Sequence, residues 1–163
     1  MFANDKKRFT QWVRQYQPFL FRAAWALSGE REIAKDLVQE TFALAWRARK
    51  QLRDEAATQA WLYRILRREA MRIWREREPW EAWDDAQCAG IAANTQDDTQ
   101  TDLLNALQAL NPLHRDVLVP FYLADMSYEQ LAAMLDIPIG TVMSRLSRAR
   151  RALRQLLEEE KTS

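Results

Sequence analysis

Glycine is scarce in this chain, with 3 in 163 residues, and there is 1 cysteine and 1 histidine. With so few glycines and no run of alternating β-branched residues, a sheet-rich fold is excluded. The abundance of Ala, Leu, Glu and Arg points instead to an all-α protein. A lone thiol, Cys88, rules out an internal disulfide and suits a reducing cytoplasm. One imidazole, His114, and one thiol supply neither a metal cluster nor a nucleophile–base pair, and no glycine-rich loop could cradle a phosphate. Catalysis, a metal site and a cofactor are therefore not expected. No apolar stretch approaches the ~20 residues that span a bilayer. The start, Met-Phe-Ala-Asn-Asp-Lys-Lys-Arg, lacks the apolar core of a secretion signal. A cytoplasmic protein, not inserted in a membrane, is the expectation.

The charge is present but segregated. Net charge is only +1. Residues 1–77 nevertheless hold 17 Lys+Arg against 9 Asp+Glu, and residues 78–102 hold none against 7. Residues 103–163 balance at 7 against 7, yet 140–156 contain five arginines and no acid. This pattern predicts two basic modules joined by an acidic strap.

Apolar periodicity divides the chain accordingly. Residues 9–28 form an apolar-rich helix, with Pro18 a point where it can bend and Gly29 its stop. A second helix spans 31–50, with Ile33, Leu37 and Leu44 turned inward. Residues 51–57 read as a loop, and Thr58 as the N-cap of a third helix ending near Arg77. On that helix Leu62, Leu66, Ala70 and Ile73 share one side, and Arg64, Arg67, Arg68 and Arg75 the opposite one. Residues 78–101, with Pro79, Gly90 and four aspartates, have no sustained period and read as a flexible linker. Trp80 and Trp83 within it suit docking, or packing back on the first module. The domains are then 1–77, 78–101 and 102–163.

The second module contains Leu-Asn-Pro-Leu-His-Arg-Asp-Val-Leu (110–118), Met-Ser-Tyr-Glu-Gln-Leu-Ala (126–132) and a basic helix over 138–156. Helices are expected at 102–110 and from Leu113 to Leu123, the latter kinked or ended early by Pro120. Ser127 with Gln130 makes a capping box, and Pro138 fits the first position of the last helix. A capped helix, a tight turn and a second, arginine-rich helix have the layout of a helix-turn-helix. Val142, Leu146, Ala149, Leu153 and Leu156 form the packed stripe of the last helix. Ser144, Ser147, Arg148 and Arg151 face the other way, flanked by Arg145 and Arg150. Such a face can bind guanine edges and phosphates alike.

The arginine stripe of the third helix is a second candidate nucleic-acid surface. Trp61, Tyr63 and Trp74 lie beside it, and aromatic faces next to arginines suit unstacked bases, although Trp61 reads as readily as core. Asp36, Gln39 and Glu40 make an outward acidic patch on the second helix, which on residue type alone is a solvated face.

Four motifs in this order and spacing carry a resemblance: Asp-Leu-Val-Gln-Glu-Thr-Phe (36–42), Ala-Trp-Leu-Tyr-Arg-Ile (60–65), Met-Ser-Tyr-Glu-Gln-Leu-Ala (126–132) and Gly-Thr-Val-Met-Ser-Arg-Leu-Ser-Arg-Ala-Arg (140–150). Together the chain, from Phe9 to Leu157, resembles an extracytoplasmic-function (ECF) sigma factor of bacterial RNA polymerase. The resemblance implies that Asp36, Gln39 and Glu40 dock on the clamp helices of core RNA polymerase. It implies that the third helix (Trp61, Tyr63, Arg64, Arg67, Arg68, Arg75) and the loop 52–60 hold and melt the −10 promoter element, the loop capturing a flipped base. It gives the −35 element to Met143, Ser144, Arg145, Ser147, Arg148 and Arg151. The linker would thread toward the RNA exit path, and an anti-sigma factor, often membrane-bound in the family, would be a further partner. Arg68 stands where the family often has Asn, Met143 where it often has Lys or Arg, and Pro120 interrupts a helix the family leaves unbroken. The rival is a stand-alone helix-turn-helix regulator of duplex operator DNA. It would usually dimerise, and it leaves the first module without a role.

Overall fold

The structure, a computed structural model, describes residues 2–77 and 99–162. Among them are seven α-helices, two short 3-10 turns and no strand, which makes the chain all-α. The strap expected over 78–101, with Trp80 and Trp83, lies almost wholly outside the described residues.

Helix α1 (Phe2–Ser28) begins before the periodic stretch and runs unbroken through Pro18. Gly29 ends it with φ +77, its N–H donating to the Trp25 carbonyl at 2.8 Å. That left-handed turn reverses the chain into α2 (Arg31–Arg47). A 3-10 turn, Arg49–Gln51, takes over the last residues expected in the second helix. Helix α3 (Thr58–Arg77) does not use Thr58 as its cap. Asp54 caps the preceding 3-10 turn by accepting from the Ala56 N–H at 3.0 Å, and the Thr58 hydroxyl donates back to Glu55. The reason is local: Thr58 already has helical backbone angles, which an N-cap lacks. Small residues (Ala23, Ala24, Ala34, Ala45, Ala60, Ala70) let the three helices approach closely around Leu20, Leu37, Leu62 and Leu66. Replacing a fully buried leucine such as Leu66 with Ala is expected to cost ~2–5 kcal/mol.

The second module starts at α4 (Thr99–Ala109), followed by α5 (Pro112–Leu123) with Asn111 accepting from the Leu113 N–H as its cap. Pro120 does not end this helix early. It runs on to Leu123, and the Pro120 carbonyl accepts from both Ala124 and Met126. The capping box on α6 (Tyr128–Leu135) forms as expected between Ser127 and Gln130. Asp136 then adopts the left-handed conformation, φ 55, and turns the chain into α7 (Ile139–Thr162).

The two modules share one apolar core. Buried residues of α1 and α3 are continuous with Leu107, Leu110, Val117, Leu118 and Val119 of α4 and α5. Side chains expected in two modules joined by a strap therefore pack together here.

Candidate nucleic-acid interface

Helix α7 packs against α4, α5 and α6, with Val142, Leu146 and Ala149 all buried. That packing leaves the other side of the helix open. Met143 is 52% exposed, and Ser147, Arg148 and Arg151 are exposed with it. Ser144 and Arg145 are half-buried at its edges, and the Ser144 hydroxyl donates to the Thr141 carbonyl at 3.1 Å. Arg150 is used differently. Its Nε donates to the Tyr122 hydroxyl at 2.7 Å and its guanidinium lies over the Phe121 ring, 5.3 Å from the centroid. The bond to Tyr122 raises its pKa further, so Arg150 ties α7 to α5 while its neighbours face solvent.

On α3 the arginine stripe divides. Arg64, Arg68 and Arg75 are exposed, and Arg72 joins them, linked to Glu69 at 2.8 Å. With Glu69, Met71, Ala133, Met134 and the edge of Arg67 they line an open groove of about 750 Å³ between α3 and α6. Arg67 does not share that exposure. Its Nε and Nη2 donate to the two carboxylate oxygens of Asp116 on α5, at 2.8 and 2.7 Å, and the side chains are only 14% and 4% exposed. Burial works against the charge on Arg67, but the Asp116 bond more than offsets it and its pKa is raised.

The aromatic residues of α3 are also placed otherwise than expected. Tyr63 is 0% exposed, so in this arrangement it presents no ring to a base. Burial, and then the Asp116 carboxylate, push its phenol well above the ordinary range against the opposing pull of Arg67. Trp61 is half-buried and edge-on to Trp12, with centroids 6.0 Å apart. Trp74 lies under the Arg115 guanidinium, 5.5 Å from its ring centre. The stripe follows from the period of one helix alone, and the second module covers the flank that holds Tyr63, Arg67 and Trp74.

Asp36, Gln39 and Glu40 are all exposed on α2, while the neighbouring Leu37, Val38 and Thr41 are buried. The acidic patch therefore faces outward from a helix whose other side is packed.

Sequence reasoning passed over a cleft of about 420 Å³ lined by Asp5, Arg8, Phe9, Trp12, Arg49, Lys50 and Leu52. Arg49 stacks 3.9 Å over Trp46 and pairs with Asp5 at 3.3 Å, while Arg8 pairs with Glu55 at 2.6 Å. The cleft opens beside the loop 52–60. Its signal in the sequence was the interleaving of cations and rings in Arg8-Phe9 and Trp46–Lys50, the mixture that favours stacked bases. No group of three or more His, Cys, Asp or Glu side chains able to hold a metal occurs among the described residues, and no described helix is long and apolar enough to cross a membrane.

Comparison with known proteins agrees with this architecture. Residues 12–79 match Sigma-70 region 2, and residues 100–153 match Sigma-70, region 4. The chain is similar to the RNA polymerase sigma-E factor of Streptomyces antibioticus, 31% identical over 97% of this chain and 89% of that one. The ECF RNA polymerase sigma factor SigL of Mycobacterium tuberculosis is 33% identical over 89% and 86%. The chain spans only 65% of another relative, the ECF RNA polymerase sigma factor SigE of Mycolicibacterium smegmatis, at 31% identity. Among solved structures it resembles the sigma factor RpoE of Bartonella quintana in complex with the anti-sigma factor NepR. The TM-score is 0.74 at 32% identity, covering 93% of this chain and 98% of that one. CnrH in complex with the cytosolic domain of CnrY gives 0.68 at 25% identity, over 94% and 90%. With both regions matched in order and whole-length relatives above 30% identity, the chain belongs to the ECF sigma factors of RNA polymerase, non-enzymatic initiators of transcription.

Proposed function

We propose that the chain works as an ECF sigma factor with its labour divided between two modules, here taken as 1–77 and 102–163. Asp36, Gln39 and Glu40 dock on core RNA polymerase. The exposed arginines Arg64, Arg68 and Arg75 hold the −10 strand, joined by Trp61, Tyr63 and Arg67 when that flank is uncovered. Met143, Ser144, Arg145, Ser147, Arg148 and Arg151 read the −35 duplex. The observation that carries the reading is the open face of α7, where polar and arginine side chains project from a helix whose opposite face is locked into a capped helix-turn-helix. Helices of that kind lie in a major groove. Exposed acids on α2 in the same molecule suit a protein partner, because an acidic patch repels phosphate. An anti-sigma factor is the expected inhibitor, since the sigma factors this fold resembles are held by such proteins. The work would be done in the cytoplasm.

The deciding experiment is transcription in vitro with core RNA polymerase on fragmented genomic DNA. Start sites that need this protein support the reading. Tight operator binding without any effect on polymerase would favour a stand-alone regulator instead.

A further inference from the structure

Two charged residues of α5, Arg115 and Asp116, have no part in the reading above, and both side chains engage the first module. Helix α1 has no basic residue in its last turn, so the carbonyls that carry the negative end of its dipole need partners from elsewhere. The second module supplies them. Gln108 Nε2 donates to the Trp25 carbonyl at 3.2 Å and to that of Ala26. Arg115 Nη1 donates to the Leu27 carbonyl at 3.3 Å, and its other donors hold Leu107, Gln108 and Leu110. Gly29 permits this approach, because a Cβ there would stand 2.6 Å from Gln108 Oε1. Further along, Gln59 donates to the Leu123 carbonyl at 3.2 Å, and Arg67 is bound bidentately by Asp116.

We infer that Asp116 is a phosphate substitute carried by the second module. By occupying Arg67 it latches the modules together and withholds the buried flank of α3 from promoter DNA. The inference rests on the assignment of α3 to the −10 strand. Carboxylate and phosphate are the two oxyanions that a guanidinium grips with the same forked geometry. A DNA backbone can therefore replace Asp116 at Arg67 without redesign of the site. Opening would also release Tyr63, whose buried hydroxyl has no hydrogen-bond partner among the described residues. A buried ion pair and an unpartnered hydroxyl both cost free energy, so the closed form is one that competing contacts can undo. Linkage then makes the effect reciprocal: whatever parts the modules raises affinity for the strand, and the strand favours parting.

The test uses the full chain and a short fluorescein-labelled single-stranded oligonucleotide pool of mixed sequence. Radius of gyration by small-angle scattering reads opening, and anisotropy reads strand binding. Asp116→Asn should enlarge the protein and tighten strand binding on the order of tenfold. Arg67→Ala should enlarge it equally without that gain, because the released side chain is missing. Gln108→Ala should move both quantities in the direction of Asp116→Asn by less, and it carries the test if helical content shows that Asp116→Asn fails to fold. Wild-type radius and affinity in both Asp116→Asn and Gln108→Ala would overturn the latch, as would strand binding in Asp116→Asn no tighter than in Arg67→Ala. Transcription with core polymerase separates this from the underlying reading. Wild type that drives promoter-specific starts while the latch variants behave as wild type refutes the latch alone; wild type that drives none refutes the sigma assignment.

Discussion

Helices α3 and α7 both carry arginines that we assign to DNA, yet one face is half covered and the other is largely open. On α7 the packed stripe is apolar throughout, so Met143, Ser147, Arg148 and Arg151 stand exposed, with Ser144 and Arg145 half-buried at the edge and Arg150 held by Phe121 and Tyr122. On α3 two surfaces are in demand. One packs on α1 and α2 through Leu62 and Leu66. A second, through Tyr63, Arg67 and Trp74, meets α5. The face we assign to duplex DNA is thus exposed in this arrangement, whereas the face we assign to the −10 strand is exposed only in part.

The largest effect expected concerns neither helix but the face that closure leaves untouched. Asp36→Lys with Glu40→Lys places cations where acids now stand exposed on α2. Like charges brought together at an interface cost several kcal/mol, so affinity for core polymerase should fall on the order of a hundredfold. Helical content and Tm should stay near wild type. Unchanged polymerase affinity in a titration would remove α2 from the docking surface.

Next in size is the direct contrast between the two arginine faces. Arg148→Ala with Arg151→Ala should weaken binding of the free chain to −35 duplex and lower its salt slope by about one for each phosphate left without its arginine. Arg67→Ala in the same assay should leave the slope where it was, since Asp116 already occupies that side chain. Equal losses from both faces would erase the distinction between a bare helix and a covered one.

What could be read from the sequence follows the same division. Local signals were legible: the stop at Gly29, the Ser127–Gln130 box and the packed stripe Val142–Leu146–Ala149 all stand as expected. The outward setting of Asp36, Gln39 and Glu40 was legible too, because helical period alone decides it. Arg67 and Tyr63 were misplaced for the opposite reason. Their surroundings come from residues 49 positions or more away in the chain, such as Asp116, and no window along one helix contains that partner. Thr58 was misread on a smaller scale, since Asp54 four residues earlier took the capping role. The cleft around Arg8 and Arg49 joins the start of α1 to the turn after α2, again a contact that spacing does not reveal.

A smaller effect would sharpen the account of α7 itself. Met143 is too exposed to be plugging a gap against the preceding helix, so Met143→Arg should leave Tm unchanged. It adds a cation to the bare face and should tighten binding to many duplex sequences. Where the new side chain reaches a guanine, preference at that base step should shift by ~1–3 kcal/mol. A binding-site selection beside a thermal melt checks both; a lowered Tm with an unaltered selected motif would return Met143 to the packed side.

The smallest expected effect lies at the covered face, in Tyr63→Phe. The ring is fully buried, and its hydroxyl has no partner among the described residues, so removing that oxygen relieves a desolvation cost without opening a cavity. Stability should rise by about 1 kcal/mol and Tm by roughly 2–4 °C. The alkaline limb gives an independent reading. Burial first, and Asp116 second, hold the Tyr63 phenol well above its ordinary pKa of 10.0 in the closed form. A group whose folded pKa is raised contributes stability that is fully present below the unfolded pKa and is lost as pH climbs through the folded one. Wild type should therefore loosen above pH 10 as Tyr63 ionises, with delayed phenolate absorbance, and Tyr63→Phe should lack that component. Should Tyr63→Phe instead lower Tm and leave the alkaline transition in place, the hydroxyl is satisfied in solution and the covered face of α3 is a settled core, not a strained one.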